Sequence, residues 1–304
     1  MNKRYLAGIY QAKSTNVFSN AEFDNFKQLN NNQFIDYLKN SNYAIGSNYN
    51  NIDEIIAKEI SNIRLELNTL TNSTLLGNIF YTKNDLNNIK IVYKSLKYNL
   101  PIDQFDLSST YSVEALVEFF KNDNKSLLKE EDILLFEQLK TIDSSSIKVE
   151  LENIEKVYYN YYFELAKKEF PELVIYLETL NFINNLNNVL KLRSRKDSVE
   201  NLSTLLLEQS IFPKSDWLEV FTLPEDLFKE RISLYYYGKL SEGLNIYLDT
   251  NDLTALNKAY DGILNDVATN ISFKHEALGP VFSYLHEKQN EANKLRGVYY
   301  ESFK

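Results

Sequence analysis

Glycine and proline are scarce in this chain, which limits the folds it can adopt. The 304 residues include eight glycines and five prolines, and no glycine occurs between Gly77 and Gly238. Tight connections between β-strands depend on these two residues. A long segment without glycine therefore favours helices over a series of hairpins. We predict an all-α fold.

Apolar residues recur with the period of an α-helix. One run, at offsets of three and four, comprises Ile52, Ile55, Ile56, Ile60, Ile63 and Leu67. A second comprises Leu151, Ile154, Tyr158, Tyr161, Tyr162 and Leu165. This spacing places the side chains of each run on one helical face. Both runs are predicted to be helices with a buried face.

Capping patterns predict where two further helices begin. Ser19 with Glu22, and Thr222 with Glu225, have the spacing of capping boxes, and Pro224 would lie in the first turn of the second helix. Breaks between helices are expected at 71–77, 100–106, 143–146, 211–215 and 273–280.

A short motif occurs three times, at intervals of about 100 residues. The copies are Asp-Leu-Asn-Asn-Ile-Lys at 85–90, Asn-Leu-Asn-Asn-Val-Leu at 185–190 and Glu-Ala-Asn-Lys-Leu-Arg at 291–296. This interval exceeds the ~20–50 residues of solenoid repeats. We therefore predict three comparable helical lobes, at 1–100, 101–200 and 201–304. Paired asparagines at matched sites suggest a shared polar contact, because asparagine is a poor residue for a helix interior.

Charge and composition disfavour several functions. The net charge of −9 repels both nucleic acid and anionic lipid surfaces. No apolar run approaches the ~20 residues of a membrane-spanning helix, and the amino terminus lacks a signal-peptide pattern, so we expect an intracellular protein. The chain has no cysteine, which excludes disulfides, thiolate metal sites and cysteine nucleophiles.

Residues that could support catalysis are few. His275 and His286 do not form a zinc-binding pattern and are expected to be ordinary surface histidines. Glu130, Glu131 and Asp132 are adjacent, whereas a shared metal needs carboxylates three or four residues apart on a helix, so we expect a solvated helix start. No glycine-rich phosphate loop is present. The basic segment 191–196 is expected at a helix carboxyl end, where cations offset the macrodipole.

The repeated motifs resemble the signatures of the C-type subunit of V-type/A-type ATP synthases, which is named d in eukaryotic vacuolar ATPases. The matching positions are Asp85, Asn88 and Lys90 in the first copy, Asn188, Arg193 and Arg195 in the second, and Pro280, Tyr284, Glu291 and Arg296 at the carboxyl terminus. The segments 5–13, 18–29 and 42–43 resemble the opening region of the same family. The second copy departs from the family pattern at Asn185, where aspartate is usual.

The resemblance implies a funnel-shaped protein of three helical lobes about a pseudo-threefold axis. It implies a non-catalytic central-stalk subunit, without cofactor or metal, that lies on the cytoplasmic face of the membrane rotor ring and receives the central shaft. Such a subunit passes torque between shaft and ring for ATP-coupled ion transport. We expect the ten matching residues to act as structural positions rather than as catalytic ones.

Two other classes stay open on the sequence alone. One is an unrelated helical adaptor whose repeats arise by chance in a composition rich in asparagine and tyrosine. The other is an all-helical metal-dependent enzyme, which would need a pocket with convergent carboxylates. The choice of H⁺ or Na⁺, and the direction of operation as pump or synthase, are not encoded in these residues.

Overall fold

Helical residues, including three short 3-10 helices, account for 76% of the computed structural model, which describes residues 3–41, 43–144, 146–275 and 278–303. No β-strand occurs in these ranges, and the prediction of an all-α fold is confirmed. The helices are α1 (Lys3–Lys13), α2 (Asn20–Phe26), α3 (Asn31–Asn40), α4 (Ile52–Thr71), α5 (Leu75–Phe80), α6 (Thr82–Tyr98), α7 (Val113–Asn122), α8 (Glu130–Lys140), α9 (Ile147–Glu169), α10 (Val174–Ser194), α11 (Val199–Leu205), α12 (Lys214–Thr222), α13 (Glu225–Ser233), α14 (Ser241–Thr250), α15 (Thr254–Lys274) and α16 (Gly279–Phe303).

The two periodic runs lie in α4 and α9. Every apolar residue of the α4 run is at most 7% exposed, so this helix buries the face that the spacing predicted. In α9, Ile154, Tyr158 and Tyr162 are buried, whereas the other members of the run are half-buried. Tyr159, Phe163 and Ala166 are buried as well, so the buried face of α9 is displaced around the helix from the one that the run predicted.

One of the two predicted capping boxes is present. The Ser19 hydroxyl accepts a hydrogen bond from the Glu22 amide at 3.3 Å, and the Glu22 carboxylate accepts one from the Ser19 amide at 2.7 Å. The second prediction is wrong, because Thr222 is the last residue of α12 and its hydroxyl donates to the carbonyl of Glu219 at 2.9 Å. A residue before proline avoids helical backbone angles, so Leu223 is extended and α13 begins after Pro224.

The breaks between helices lie close to the predicted segments. Residues 99–112 separate α6 from α7, and 141–146 separate α8 from α9. The break after α4 was predicted at 71–77 but covers only 72–74, because α5 begins at Leu75 and contains Gly77. α12 starts at Lys214, within the predicted 211–215 break.

The chain forms two compact units, Met1–Tyr162 with Glu276–Lys304, and Phe163–His275. In the first unit, α16 packs against α1, α2 and α4, which joins the carboxyl-terminal helix to the amino-terminal region. In the second unit, Phe182, Phe212 and Trp217 are fully buried in the core formed by α10 to α15. The division into lobes at residues 100 and 200 stays a prediction. No helix in the described ranges is long and apolar enough to cross a bilayer.

Candidate functional site

The first copy of the motif lies on α6 and begins with a fully buried carboxylate. Asp85 accepts hydrogen bonds from the Thr110 amide at 2.7 Å and the Ser109 hydroxyl at 2.9 Å, both in the loop after α6. The same carboxylate forms an ion pair with Arg64 of α4. Asp85 therefore fixes α4, α6 and the following loop to one another.

The other two copies begin with side chains that make the same type of contact. Asn185 of α10 accepts a hydrogen bond from the Leu207 amide at 2.8 Å, and Glu291 of α16 accepts one from the Phe18 amide at 2.7 Å. Both residues are at most 2% exposed. A buried backbone N–H needs an acceptor, and the first residue of each copy supplies it to a distant segment. We call Asp85, Asn185 and Glu291 the anchor residues.

The fourth position of each copy also bonds to a neighbouring segment. Asn88 donates to the Asp106 carbonyl at 2.8 Å and accepts from the Asp106 amide at 2.9 Å. Asn188 donates to the Leu205 carbonyl at 3.5 Å, and Lys294 donates to the Asn20 side chain at 3.4 Å. The contact weakens from the first copy to the other two, because among the three only Asn88 pairs with both the N–H and the carbonyl of one residue.

At the sixth position, the first and third copies form ion pairs. Lys90 pairs with Glu155 of α9, and Arg296 pairs with Asp53 of α4 at 2.8 Å. In the second copy, Leu190 is buried and has no charge to pair. The ion pair with Asp53 joins α16 to α4, and a structural role for Arg296 stays a prediction.

The basic residues that follow the second copy have different surroundings. Arg193 donates to the carbonyls of Val220, Phe221 and Leu223, at 3.2, 2.6 and 2.9 Å, and so satisfies the carboxyl end of α12. Partial burial lowers the pKa of Arg193. The side chain of Arg195 is exposed and makes no hydrogen bond or ion pair in the described part of the chain. Only the first of these two arginines is positioned by the fold.

Two predicted positions lie at the start of α16. Pro280 is the second residue of this helix, where a missing N–H leaves no bond unmade. Tyr284 is buried, and its ring centroid lies 5.2 Å from that of Tyr10 on α1. Burial raises the pKa of Tyr284. Tyr284 thus joins the carboxyl-terminal helix to the first helix.

Arg64 is an important residue that the sequence did not nominate. Its guanidinium donates to the Ser108 carbonyl at 3.1 Å and to Asn78 at 2.8 Å, in addition to Asp85. Burial alone would lower the pKa of Arg64, but the Asp85 carboxylate outweighs this effect and raises it. The sequence does contain a signal for this residue. Arg64 is a charged residue on the apolar face of α4, between Ile60 and Leu67.

A second buried charge cluster was also not predicted. Lys288 lies between Glu59 of α4, at 2.8 Å, and Glu291, at 2.5 Å, and its ammonium is 4.5 Å from the centre of the Tyr43 ring. Burial raises the pKa of Glu291, and Lys288 opposes that rise. The third anchor residue is thus also part of a charged network.

Two expectations about polar side chains are wrong. His286 is only 8% exposed, and burial lowers its pKa to about 4, because α16 turns this face towards the core. His275 is exposed, as expected for a surface histidine. α8 does begin at Glu130, but Asp132 is only 2% exposed because Tyr161 and Tyr162 of α9 reach its first turn.

Burial raises the pKa of Asp132 to about 7, and the neighbouring Glu131 carboxylate adds to the rise. The Tyr162 hydroxyl donates to Asp132 at 3.3 Å and accepts from Asn78 at 2.8 Å. Since Asn78 also accepts from Arg64, one hydrogen-bonded path connects α4, α5, α8 and α9. These polar contacts hold helices in fixed positions.

Within the described ranges, no group of three or more histidine, aspartate or glutamate side chains is arranged to hold a metal ion. The buried charges instead form pairs between helices, as in Arg64 with Asp85 and Lys288 with Glu59. Such contacts hold helices that are distant in the chain in fixed relative positions.

A sequence model of the ATP synthase (C/AC39) subunit family matches residues 6–299, nearly the whole chain. The matched range contains all three copies of the repeated motif and the anchor residues. No curated protein matches the chain.

Proposed function

Because this chain belongs to the ATP synthase (C/AC39) subunit family, whose members are subunits of rotary V/A-type ATPases, we propose that it is the non-catalytic central-stalk subunit linking the rotary shaft to the membrane rotor ring. The match from 6 to 299 carries this proposal, since it places the whole folded chain in the family rather than one segment. The subunit would transmit torque for ATP-coupled ion transport.

The buried polar contacts support this role. A body that transmits torque has to resist twisting, and purely apolar contacts between helices are not directional. The pairs Arg64–Asp85 and Lys288–Glu59, together with the anchor residues, add directional contacts between helices that are distant in the chain. We infer that each anchor residue stabilises one of three lobes.

The proposed partners are the shaft subunits and the proteolipid ring. The net charge of −9 disfavours nucleic acid and anionic lipid as alternatives. The finding that no described helix can cross a bilayer is compatible with a peripheral position at the cytoplasmic face, where we place the subunit. An unrelated helical adaptor, the competing hypothesis, does not explain the family match.

A binding experiment tests this proposal. The purified chain would be mixed separately with the reconstituted shaft subunits and with the detergent-solubilised rotor ring of the same complex, and each mixture analysed by size-exclusion chromatography. We expect the chain to co-elute with each partner. A matched ring from a rotary ATPase that lacks this family of subunits serves as the control. If the chain bound neither the shaft subunits nor the rotor ring, the adaptor hypothesis would be supported.

A further inference from the structure

Three helices of the first unit end at one basic cleft. Its lining includes Lys97 from the last turn of α6, Lys121 from the last turn of α7 and Lys140 from the last turn of α8. The cleft has a volume of about 420 Å³, within the range of small-molecule sites. We call it the lysine cleft.

The charge of this lining differs from that of the chain. The protein has 42 acidic and 33 basic residues, yet no acidic side chain from the described ranges lines the lysine cleft. A lysine in the last turn of a helix offsets the negative end of its dipole. That role is local to each helix and does not require three lysines to meet at one place. Their convergence is therefore a feature of the tertiary structure rather than of the separate helices.

Two of the lysines already have carboxylate partners outside the lining. Lys97 pairs with the buried Glu150, and Lys140 pairs with Asp123 at 2.6 Å. Each ammonium has three N–H donors, so both keep the capacity to bind a further anion. Lys121 is exposed and forms no ion pair in the described part of the chain. The cleft thus offers one unpaired cation and two partly neutralised ones.

Aromatic side chains form the remaining distinctive part of the lining. The rings of Tyr93 and Phe120 meet edge to face, with centroids 5.5 Å apart. An apolar substituent on an anionic ligand would find a hydrophobic contact there. Lysines approaching from three helices suit a phosphate group, which presents several oxygens to point charges, better than a planar carboxylate, which arginine pairs with in two-point contact.

From this arrangement we propose that the lysine cleft is a binding site for a small phosphate ester that carries an aromatic or other apolar group. The phosphate lies against Lys121, with Lys97 and Lys140 beside it, and the apolar group contacts Phe120 and Tyr93. The site is separate from the anchor residues and does not depend on the proposed role in the rotary complex.

Calorimetric titration with phenyl phosphate and with inorganic phosphate, at pH 8 and constant ionic strength, tests the proposal. Phosphate monoesters carry close to two negative charges at this pH. We expect phenyl phosphate to bind more tightly than inorganic phosphate. Lys121→Gln should weaken both by about threefold to fivefold, in line with the loss of one exposed ion pair. Phe120→Leu should weaken phenyl phosphate alone.

Asp123→Asn gives a variant that should bind more tightly, because it releases Lys140 from its carboxylate partner. Asparagine tolerates the left-handed backbone of this position, where φ is 55°, so the fold should be retained. Lys258→Gln removes an exposed lysine from α15 and serves as the matched control. The proposal is overturned if neither ligand binds, if inorganic phosphate binds as well as the ester, or if Lys121→Gln and Lys258→Gln have equal effects.

Discussion

Arg64 and Asp85 form an ion pair that is shielded from water, with 4% and 0% of their side chains exposed. The pair joins α4 to α6, and the Thr110 amide and the Ser109 hydroxyl hold the carboxylate from a third segment. Separating the charges leaves one of them buried and unpaired, so the contact fixes the relative position of the two helices.

Asp85→Asn should lower the free energy of unfolding by about 3–5 kcal/mol, because it leaves the Arg64 charge buried without a counterion. Urea denaturation measures this loss. Asp24→Asn is the control, since Asp24 and Lys27 form an ion pair 3.5 Å long that is mostly exposed, and its removal should cost at most about 1 kcal/mol. Similar losses in the two variants would contradict a stabilising role for the buried pair.

Asp132 should make stability fall as the pH rises. Its pKa of about 7 in the folded protein is higher than the value of about 4 expected in the unfolded chain, so the folded state binds more protons between these values. The cost of ionising Asp132 is absent below about pH 4, grows up to about pH 7 and is constant above it. It amounts to roughly 2–4 kcal/mol at pH 8.

The Asp132→Asn variant checks this prediction, because its side chain does not ionise. The difference in free energy of unfolding between variant and wild type should shift in favour of the variant from pH 4 to pH 8. Comparing differences removes the contribution of other titrating groups such as Glu291. A difference that is independent of pH would show that Asp132 titrates at its ordinary value.

Asn185→Asp should destabilise the second unit, although aspartate is the residue that the resemblance leads us to expect at this position. Asn185 both donates to and accepts from the backbone of Leu207, at 2.9 and 2.8 Å. Aspartate cannot donate to the carbonyl, and no described lysine or arginine bonds to this position. We expect a loss of about 2–5 kcal/mol in thermal or urea unfolding. Asn32→Asp, in the first turn of α3, should be close to neutral.

The sequence predicted the helical class and several elements, because these depend on local patterns. The α4 face and the Ser19 cap are determined by residues a few positions apart. Buried polar residues depend on contacts that local patterns do not contain. Asp132 was expected at a solvated helix start. The tyrosines that cover it come from α9, which is distant in the sequence, so the residues around Asp132 do not reveal its burial.

For the same reason, the sequence named some residues of the candidate site but not the residues that they contact, and the roles of the named residues stay predictions. The repeat named Asp85 and Glu291, but their partners Arg64 and Lys288 lie outside the three copies of the motif. At Thr222 the sequence predicted a helix cap that the structure does not contain. Its spacing to Glu225 fits a capping box, but the restriction that Pro224 places on Leu223 decides where the helix begins.

Two cations of α16 should contribute unequally to stability. Lys288→Met leaves the carboxylates of Glu59 and Glu291 buried together and should cost about 3 kcal/mol or more. Arg296→Ala should cost at most about 1 kcal/mol, because Arg296 is 36% exposed and its partner Asp53 is 46% exposed. Urea denaturation of both variants measures the two losses in free energy of unfolding. A larger loss for Arg296→Ala than for Lys288→Met would contradict this prediction.

Arg296→Ala also separates a structural role from a catalytic one. Its effect should appear in folding or in assembly with the rotor ring, while ATP hydrolysis by the isolated catalytic head stays unchanged. Hydrolysis rates and the fraction of assembled complex would be measured on the same preparations. A loss of head activity without an assembly defect would contradict the structural assignment.

The proposed torque-transmitting role is tested most directly by reconstituting vesicles with and without this chain and measuring ATP hydrolysis and ion uptake together. Without the chain, the catalytic head and its shaft should still hydrolyse ATP, but ATP-driven ion uptake should be lost. Adding back the purified protein should restore uptake, and Asp85→Asn should restore less in proportion to its unfolded fraction. Ion uptake at the full rate in the absence of the chain would contradict the account.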